Sequence, residues 1–203
     1  MTVTSGQLDL ANQPAVTVAG NWTVQATGSV LPTVTPVTFS GAGASTVTVN
    51  SGAGNFFDVF VNKAAAATLV TLTSTSNPVQ PVVCERQLVV SQGTVQVPPG
   101  KSVTVGAGAW VGNCVVGVSG SVATLDLQAG ATLALNGTAN LGIDTNATLR
   151  TVGTGAAARA RVTSTTPGTA RYNFVINGTW TAEWFAVVSP DQNGCQVGST
   201  GQI

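Results

Sequence analysis

The sequence predicts an all-β fold, and within that class a single-stranded parallel β-helix, or β-solenoid, which we expect to be right-handed. Three observations lead to this prediction: apolar residues recur every eight positions in one part of the chain, short apolar alternations recur in the rest, and charged residues are scarce. A chain of 203 residues is long enough to bury one substantial core. Nothing in the composition marks a linker, so we expect residues 1–203 to form a single domain.

The eight-residue repeat is clearest in the stretch LDLQAGATLALNGTANLGIDTNATL, residues 125–149. A leucine opens each unit, at Leu125, Leu133, Leu141 and Leu149. Each of the three full units begins with two apolar residues spaced two apart, which is the period of a strand. Each ends in Gly, Asn, Asp or Thr, residue types that suit tight turns. We therefore predict that each octad is a short strand followed by a turn, and that successive units must stack, because one octad alone buries too little apolar surface to fold.

Similar short strands recur through the rest of the chain with looser spacing. They are VTV at 16–18, WTV at 22–24, VTV at 47–49, VFV at 59–61, VTL at 70–72, LVV at 88–90, VQV at 95–97 and VTV at 103–105. Strands at such intervals also occur in sandwiches and barrels. The regular octads and an aromatic content of only 5% favour the solenoid over a sandwich.

The composition narrows the classes of function. Charged residues make up 7% of the chain, against about 25% in typical globular domains, and the many Thr and Val residues favour ordered β-structure. Seven basic residues balance seven acidic ones without a basic run, so we expect no nucleic-acid partner. Every apolar stretch is shorter than the roughly 18 residues that span a bilayer, so we expect no membrane span.

Two parts of the chain resemble a known family. The segments GNWTV (20–24), VTFSGAG (37–43) and FFDVFVNK (56–63) resemble the repeat region of long bacterial cell-surface and adhesin-like parallel β-helix proteins. The segment YNFVINGTWTAEWFAV (172–187) is similar to other coils of the same proteins, whereas the region from Cys84 to Cys114 does not match. The resemblance implies a parallel β-helix, an extracellular or bacterial cell-surface location, and a stalk or scaffold role.

The two ends of the chain do not have the polar character of a solenoid cap. TVTSGQLDL begins already in repeat phase, and QNGCQVGSTGQI follows a strand-rich segment without a capping element. An uncovered coil offers unpaired strand groups for association. We therefore expect the chain to be a segment of a longer repeat protein, with flanking repeats as its neighbours, or to associate end to end.

The cysteines and the absence of histidine limit the chemistry of any site. Cys84, Cys114 and Cys195 form no CxxC motif, and without histidine a zinc site is not expected, so we predict no metal or cofactor. If the protein is extracellular, Cys84 and Cys114 are the pair that we expect to form a disulfide. Buried free thiols are the alternative.

Carboxylates deserve a separate test because many parallel β-helix proteins are polysaccharide hydrolases or lyases. Asp126 and Asp144 are close enough in sequence to lie on neighbouring coils, with Arg150 nearby, and paired carboxylates suit glycosidic chemistry. Asp144, however, falls at an octad turn, and Asp126 alternates outward between two leucines. Ser/His/Asp triads are excluded because the chain has no histidine. We therefore predict that the protein is not an enzyme.

Aromatic residues are candidates for contact with a partner or a glycan. In TWTAEWF (179–185), strand alternation places Trp180 and Trp184 on one face and Phe185 on the other. In FFDVFV (56–61), the same alternation places Phe56 and Phe60 on one face. Exposed aromatic rings stack on sugars and on partner proteins, whereas packing within the solenoid is the competing interpretation.

Threonine pairs suggest a further surface. Thr-x-Thr occurs at 33/35, 46/48, 71/73 and 179/181, and a flat array of threonine on a solenoid can order water, as an ice-binding surface does. The intervals between these pairs are 13, 25 and 108 residues, which we do not expect to match one coil repeat. Threonine is also a common exposed strand residue, and this is the interpretation we favour.

Together these observations predict a structural, non-catalytic, extracellular or cell-surface β-helix that serves as a rod, scaffold or fibre unit. The alternative is a carbohydrate-binding or adhesin module that uses Trp180, Trp184 and Phe60. A polysaccharide-degrading enzyme ranks third.

Overall fold

A computed structural model describes residues 1–31, 33–108 and 111–203. The described residues form β-strands and no helix, and every strand pair is parallel. The strands are β1 (Thr2–Asp9), β2 (Val16–Val18), β3 (Trp22–Leu31), β4 (Pro36–Phe39), β5 (Ser45–Val49), β6 (Phe56–Asn62), β7 (Leu69–Thr73), β8 (Val82–Val97), β9 (Ser102–Val105), β10 (Asn113–Val116), β11 (Ala123–Leu127), β12 (Thr132–Leu135), β13 (Asn140–Ile143), β14 (Thr148–Val152), β15 (Ala160–Ser164), β16 (Tyr172–Ile176), β17 (Thr179–Glu183), β18 (Phe185–Val188) and β19 (Pro190–Val197). The predicted β-solenoid is confirmed, with about eight coils.

One coil of the solenoid has three sides. In the sixth coil β11 lies on side 1, β12 on side 2 and β13 on side 3, and β14 then returns to lie beside β11. The same order continues with β15 beside β12 and β16 beside β13. Each side is therefore a parallel sheet whose strands come from successive coils.

This architecture explains the octad repeat. Leu125 pairs with Leu149, 24 residues further along the chain, so three octads make one complete coil. Leu125, Leu133 and Leu141 occupy equivalent interior positions on sides 1, 2 and 3, and all three are fully buried. The prediction that each octad is a strand and a turn is confirmed, and one octad forms one side.

The eight coils can be assigned from the strand pairing. Coil 1 contains β1 and β2, coil 2 β3 and β4, coil 3 β5 and β6, coil 4 β7 and residues 82–90 of β8, coil 5 residues 93–97 of β8 with β9 and β10, coil 6 β11 to β13, coil 7 β14 to β16, and coil 8 β17 to β19. Strand β8 passes around two corners, and its alternation of buried and half-buried residues breaks at 85–87 and at 91–92. These are the positions where its register against β6 shifts.

The corners change the predicted direction of one aromatic side chain. Phe56 does not share an outward face with Phe60: it is buried and packs on Trp22 and Phe39, with ring centroids 5.3 and 6.3 Å away. The reason is that β6 turns a corner, so Phe56 and Val59, three positions apart, both face the interior. Strict strand alternation was therefore wrong for Phe56.

A buried lysine holds another corner together. The side chain of Lys63 is buried, and its Nζ donates hydrogen bonds to the Ser40 carbonyl oxygen at 2.6 Å, the Gly43 carbonyl oxygen at 3.0 Å and Ser45 Oγ at 2.8 Å. Burial lowers the pKa of Lys63. The ammonium group thus bonds two backbone acceptors and one buried hydroxyl at the turn between coils 2 and 3.

Within the described ranges, no helix is long and apolar enough to cross a membrane.

Candidate functional site

The candidate site lies on the outer surface of side 3, in coils 5 to 7. Alternate residues of β10, β13 and β16 point outward, and the parallel register aligns them between coils. These outward residues, together with the buried Gly117 at the corner of coil 5, form three rows of three: Asn113, Val115 and Gly117 in coil 5, Asn140, Gly142 and Asp144 in coil 6, and Asn173, Val175 and Asn177 in coil 7. We call this arrangement the side 3 grid.

A shallow groove lies at the centre of the grid. Val115 and Val175 stand on either side of Gly142, and Asp144 and Asn177 line the neighbouring corner. Gly142 has no side chain, so the surface is recessed between the two valines. The groove is consequently apolar along its floor and polar at its edges.

A ladder of asparagine amides runs along the same face, two residues before the central row of the grid on each strand. Asn140 Nδ2 donates to Asn113 Oδ1 at 3.0 Å, and Asn173 Nδ2 donates to Asn140 Oδ1 at 3.3 Å. Gln87 stands in register with Asn113 in the preceding coil. Because each amide is bonded to the next, the ladder holds these side chains in one orientation along the solenoid axis.

The centre of the grid continues towards the N-terminal coils as an apolar column. Phe60, Val89 and Val115 are in register with one another, Gly142 follows Val115, and all three side chains are half-buried. Sequence reasoning identified Phe60 but missed the column that contains it. The sequence did contain a signal for this column. In a strand triplet of the solenoid the middle residue faces outward, and in four triplets this residue is apolar: VFV, LVV, CVV and FVI.

Trp180 lies inside the last coil. It is only 6% exposed, its Nε1 donates to Thr151 Oγ1 at 2.9 Å, and its ring packs on Phe174 and Phe185 at centroid distances of 5.5 and 4.8 Å. Its hydrogen-bonding group and much of its ring are therefore already engaged within the protein.

Trp184 lies between two strands, so strand alternation does not determine the direction of its side chain. It separates β17 from β18 with a positive φ of 47°, and its side chain is 50% exposed, with Phe185 39% exposed beside it. Phe60 lies on side 3 of coil 3, five coils away. The structure thus does not bring Trp180, Trp184 and Phe60 together into one surface.

The two candidate carboxylates also lie on different sides. Asp126 is buried on side 1, where Arg150 Nη1 donates to its Oδ1 at 2.7 Å and the amides of Gln96 and Gln128 donate to its Oδ2 at 3.3 Å. Asp144 lies at the corner of side 3 and accepts a hydrogen bond from its neighbouring backbone N–H at 2.8 Å. Asp126 is therefore hydrogen-bonded to side chains of the preceding and the following coil, and it connects three coils.

The cysteines of the proposed disulfide are free, buried thiols. Cys84 is in register with Val105 on side 2, and Cys114 is in register with Leu141 on side 3. Burial among apolar side chains raises the pKa of Cys84, and it raises the pKa of Cys114 to about 12. Among the described residues, no group of three His, Cys, Asp or Glu side chains could hold a metal ion.

Two of the threonine pairs stack, contrary to our expectation from their spacing. Thr46 and Thr48 pair in register with Thr71 and Thr73 on side 1, because the coil in this part of the chain has 25 residues. In coil 5, Gln96 takes the position that follows Thr71, so the paired array covers two coils. Thr35 is buried and donates to the Leu10 carbonyl oxygen at 2.7 Å.

Comparison of the chain with protein-family models, with curated proteins and with solved structures finds no match. The resemblance to bacterial cell-surface repeats therefore stays a prediction from the sequence.

Proposed function

We propose that this chain is a structural, non-catalytic rod that serves as a scaffold or fibre unit outside the cell or on a bacterial surface. The observation that carries the proposal is the continuous interior of the solenoid, in which buried side chains run from Trp22 in coil 2 to Trp180 in coil 8. Eight coils spaced by about 4.8 Å give a rod roughly 38 Å long. Such a body resists bending because each inner coil is hydrogen-bonded to the coils on both sides of it.

The open strands at the two ends support association along the axis. Among the described strands, β1 pairs with β3 alone and β19 pairs with β16 alone. Gln202 already lies beside Thr179, over side 1 of the last coil. We propose that these edges pair with flanking repeats of the same chain or with the end of a second copy.

The test of end-to-end association uses two variants of β1. Leu8 packs partly against the core, whereas its neighbour Gln7 is exposed. An inward-facing charge blocks edge pairing, so Leu8→Lys should abolish association, and Gln7→Lys, with the same added charge, should retain it. The measurement is mass against protein concentration by size-exclusion chromatography with light scattering.

The expected result is a wild-type mass that grows with concentration, together with a monomeric Leu8→Lys variant. A wild-type chain that stays monomeric over the whole series would contradict association between copies. Equal association of Leu8→Lys and wild type would show that the contact does not involve the β1 edge.

A further inference from the structure

Gly142 has no structural reason to be glycine. It lies in the middle of β13, its φ is not in the left-handed region, and a Cβ built at this position meets no atom within 4 Å. Gly178, by contrast, needs glycine, because a Cβ there would clash with the carbonyl oxygens of Asp144 and Ala147. Glycine inside a strand weakens it and often marks a place where another molecule comes close. The recess in the side 3 grid is therefore not explained by folding.

The recess has room for the edge of one sugar ring. Val115 and Val175 belong to coils on either side of coil 6, so their backbones are about 9.6 Å apart, and the absent side chain of Gly142 leaves the space between them open. Asn140 and Asp144 flank Gly142 within its own strand row, one on each side. A six-membered ring standing on its edge over Gly142 would contact both valines through the axial C–H groups of its two faces, and its rim hydroxyls would point towards Asn140 and Asp144.

The polar groups around the recess suit hydroxyl ligands. A primary amide has two N–H donors and a carbonyl acceptor, and the ladder uses only part of this capacity in Asn140. Asp144 accepts a backbone hydrogen bond through Oδ1, and a carboxylate can accept several more. Apolar floors with a few fixed polar groups at the edge are typical of small-ligand sites.

The charge of the grid selects against anions. Its nine residues include no Lys or Arg, and Asp144 is its one ionisable group. An acidic polysaccharide would therefore meet a carboxylate without a compensating cation. Because the same pattern of asparagine and valine repeats in coils 5 and 7, the surface also suits a ligand that itself repeats along the axis.

We propose that side 3 of coils 5 to 7 binds a neutral glycan chain, with one sugar ring seated on Gly142 between Val115 and Val175 and its hydroxyl groups bonded to Asn140 and Asp144. This inference does not depend on the structural role proposed above, since a rod can carry the site whether or not its ends associate.

The test is a titration followed by two-dimensional ¹⁵N NMR. The probes are cellohexaose, maltohexaose, laminarihexaose and chitohexaose, with trigalacturonate as the anionic comparison. At least one neutral probe should shift the Gly142 backbone amide and the side-chain amides of Asn113, Asn140 and Asn173. A dissociation constant near 1 mM is expected for so shallow a site.

Variants then separate the recess from the rest of the surface. Gly142→Val fills the recess with a good strand residue and should weaken binding at least tenfold while the chain stays folded. Ala134→Val places the same valine side chain at an outward position on side 2 of the same coil and should leave binding unchanged. Gly142→Ser, a smaller change, should give an intermediate loss.

Three results would overturn the proposal: no shift with any neutral probe, shifts that centre on Trp184 instead of Gly142, or trigalacturonate binding as well as the neutral probes. Shifts at the side 3 amides on raising protein concentration alone would assign the recess to a second copy of this chain. That outcome would also contradict glycan binding.

Discussion

At the scale of single residues, the most consequential side chain in the fold is Lys63. Its three hydrogen bonds go to two carbonyl oxygens in the turn between β4 and β5 and to the hydroxyl of Ser45 at the start of β5, and it is almost completely buried. Replacing it with Met keeps the volume but leaves these acceptors without donors. We predict that Lys63→Met lowers the free energy of unfolding by about 3 kcal/mol, measured by urea denaturation.

The control for this variant is Lys101→Met, at a turn of coil 5. This change should alter stability by no more than about 0.5 kcal/mol. Equal stability of Lys63→Met and wild type would mean that water or another donor reaches the corner, and that the buried ammonium group is not needed there.

The cysteines give a second prediction at this scale. Cys84 and Cys114 are buried thiols, whereas Cys195 is half-buried. At pH 8 a thiol reagent should therefore modify Cys195 in the folded protein and all three cysteines in denaturant. Detection of one reactive thiol in denaturant without reductant would instead show that a disulfide has formed.

The raised thiol pKa values also predict a pH dependence. The pKa of Cys114 rises from 9.0 to about 12 on folding, so the folded state holds its proton where the unfolded chain has lost it. The contribution of this thiol to stability is complete below pH 9.0 and is lost as the pH rises towards 12. Cys114→Ser should reduce the loss of stability between these two pH values, measured by thermal unfolding at fixed ionic strength.

At the scale of elements, the octad is the unit that determines stability. Leu133 in β12 lies fully inside, between Val103 and Val162 of the neighbouring coils, while Thr132 beside it faces outward. Leu133→Ala should cost about 2–5 kcal/mol, because it opens a cavity shared by three coils. Thr132→Ala should cost less than about 1 kcal/mol, and similar losses for the two variants would contradict the assigned direction of β12.

The elements also show which features were accessible from the sequence. In the octad region the three sides of a coil have the same length. The leucines of one coil therefore align with those of the next, and the register between coils follows from the spacing alone. Elsewhere loops of different length lie between the sides, so the partner of a given strand cannot be read from spacing alone. The stacking of Thr46 on Thr71 and the alignment of Val115 with Val175 depend on these lengths, and both were missed.

Corners account for the remaining differences. Alternation assumes an uninterrupted strand, and it failed at Phe56, where β6 turns a corner, and at Trp184, where a positive φ separates two strands. Sequence patterns therefore predicted the interior of the solenoid well. They predicted its outer surface, where a functional site must lie, only at single residues such as Phe60.

At the scale of the whole molecule, the solenoid is well packed in its middle coils, and its first and last strands each pair with one neighbouring strand. Interior side chains in the middle coils are fully buried, whereas β1 and β19 include mainly exposed or half-buried residues. Stability in such a stack depends on neighbouring coils. We predict that hydrogen exchange is fastest in β1 and β19 and slowest in β8 and β11 to β14; uniform exchange would indicate a single cooperative unit without weak ends.

The most direct test of the structural role is the shape of the particle by negative-stain electron microscopy across a concentration series. We expect rods of constant width, with lengths that are multiples of roughly 38 Å. Particles that stay compact, or that grow sideways into clusters of variable width, would contradict a rod that extends through its ends.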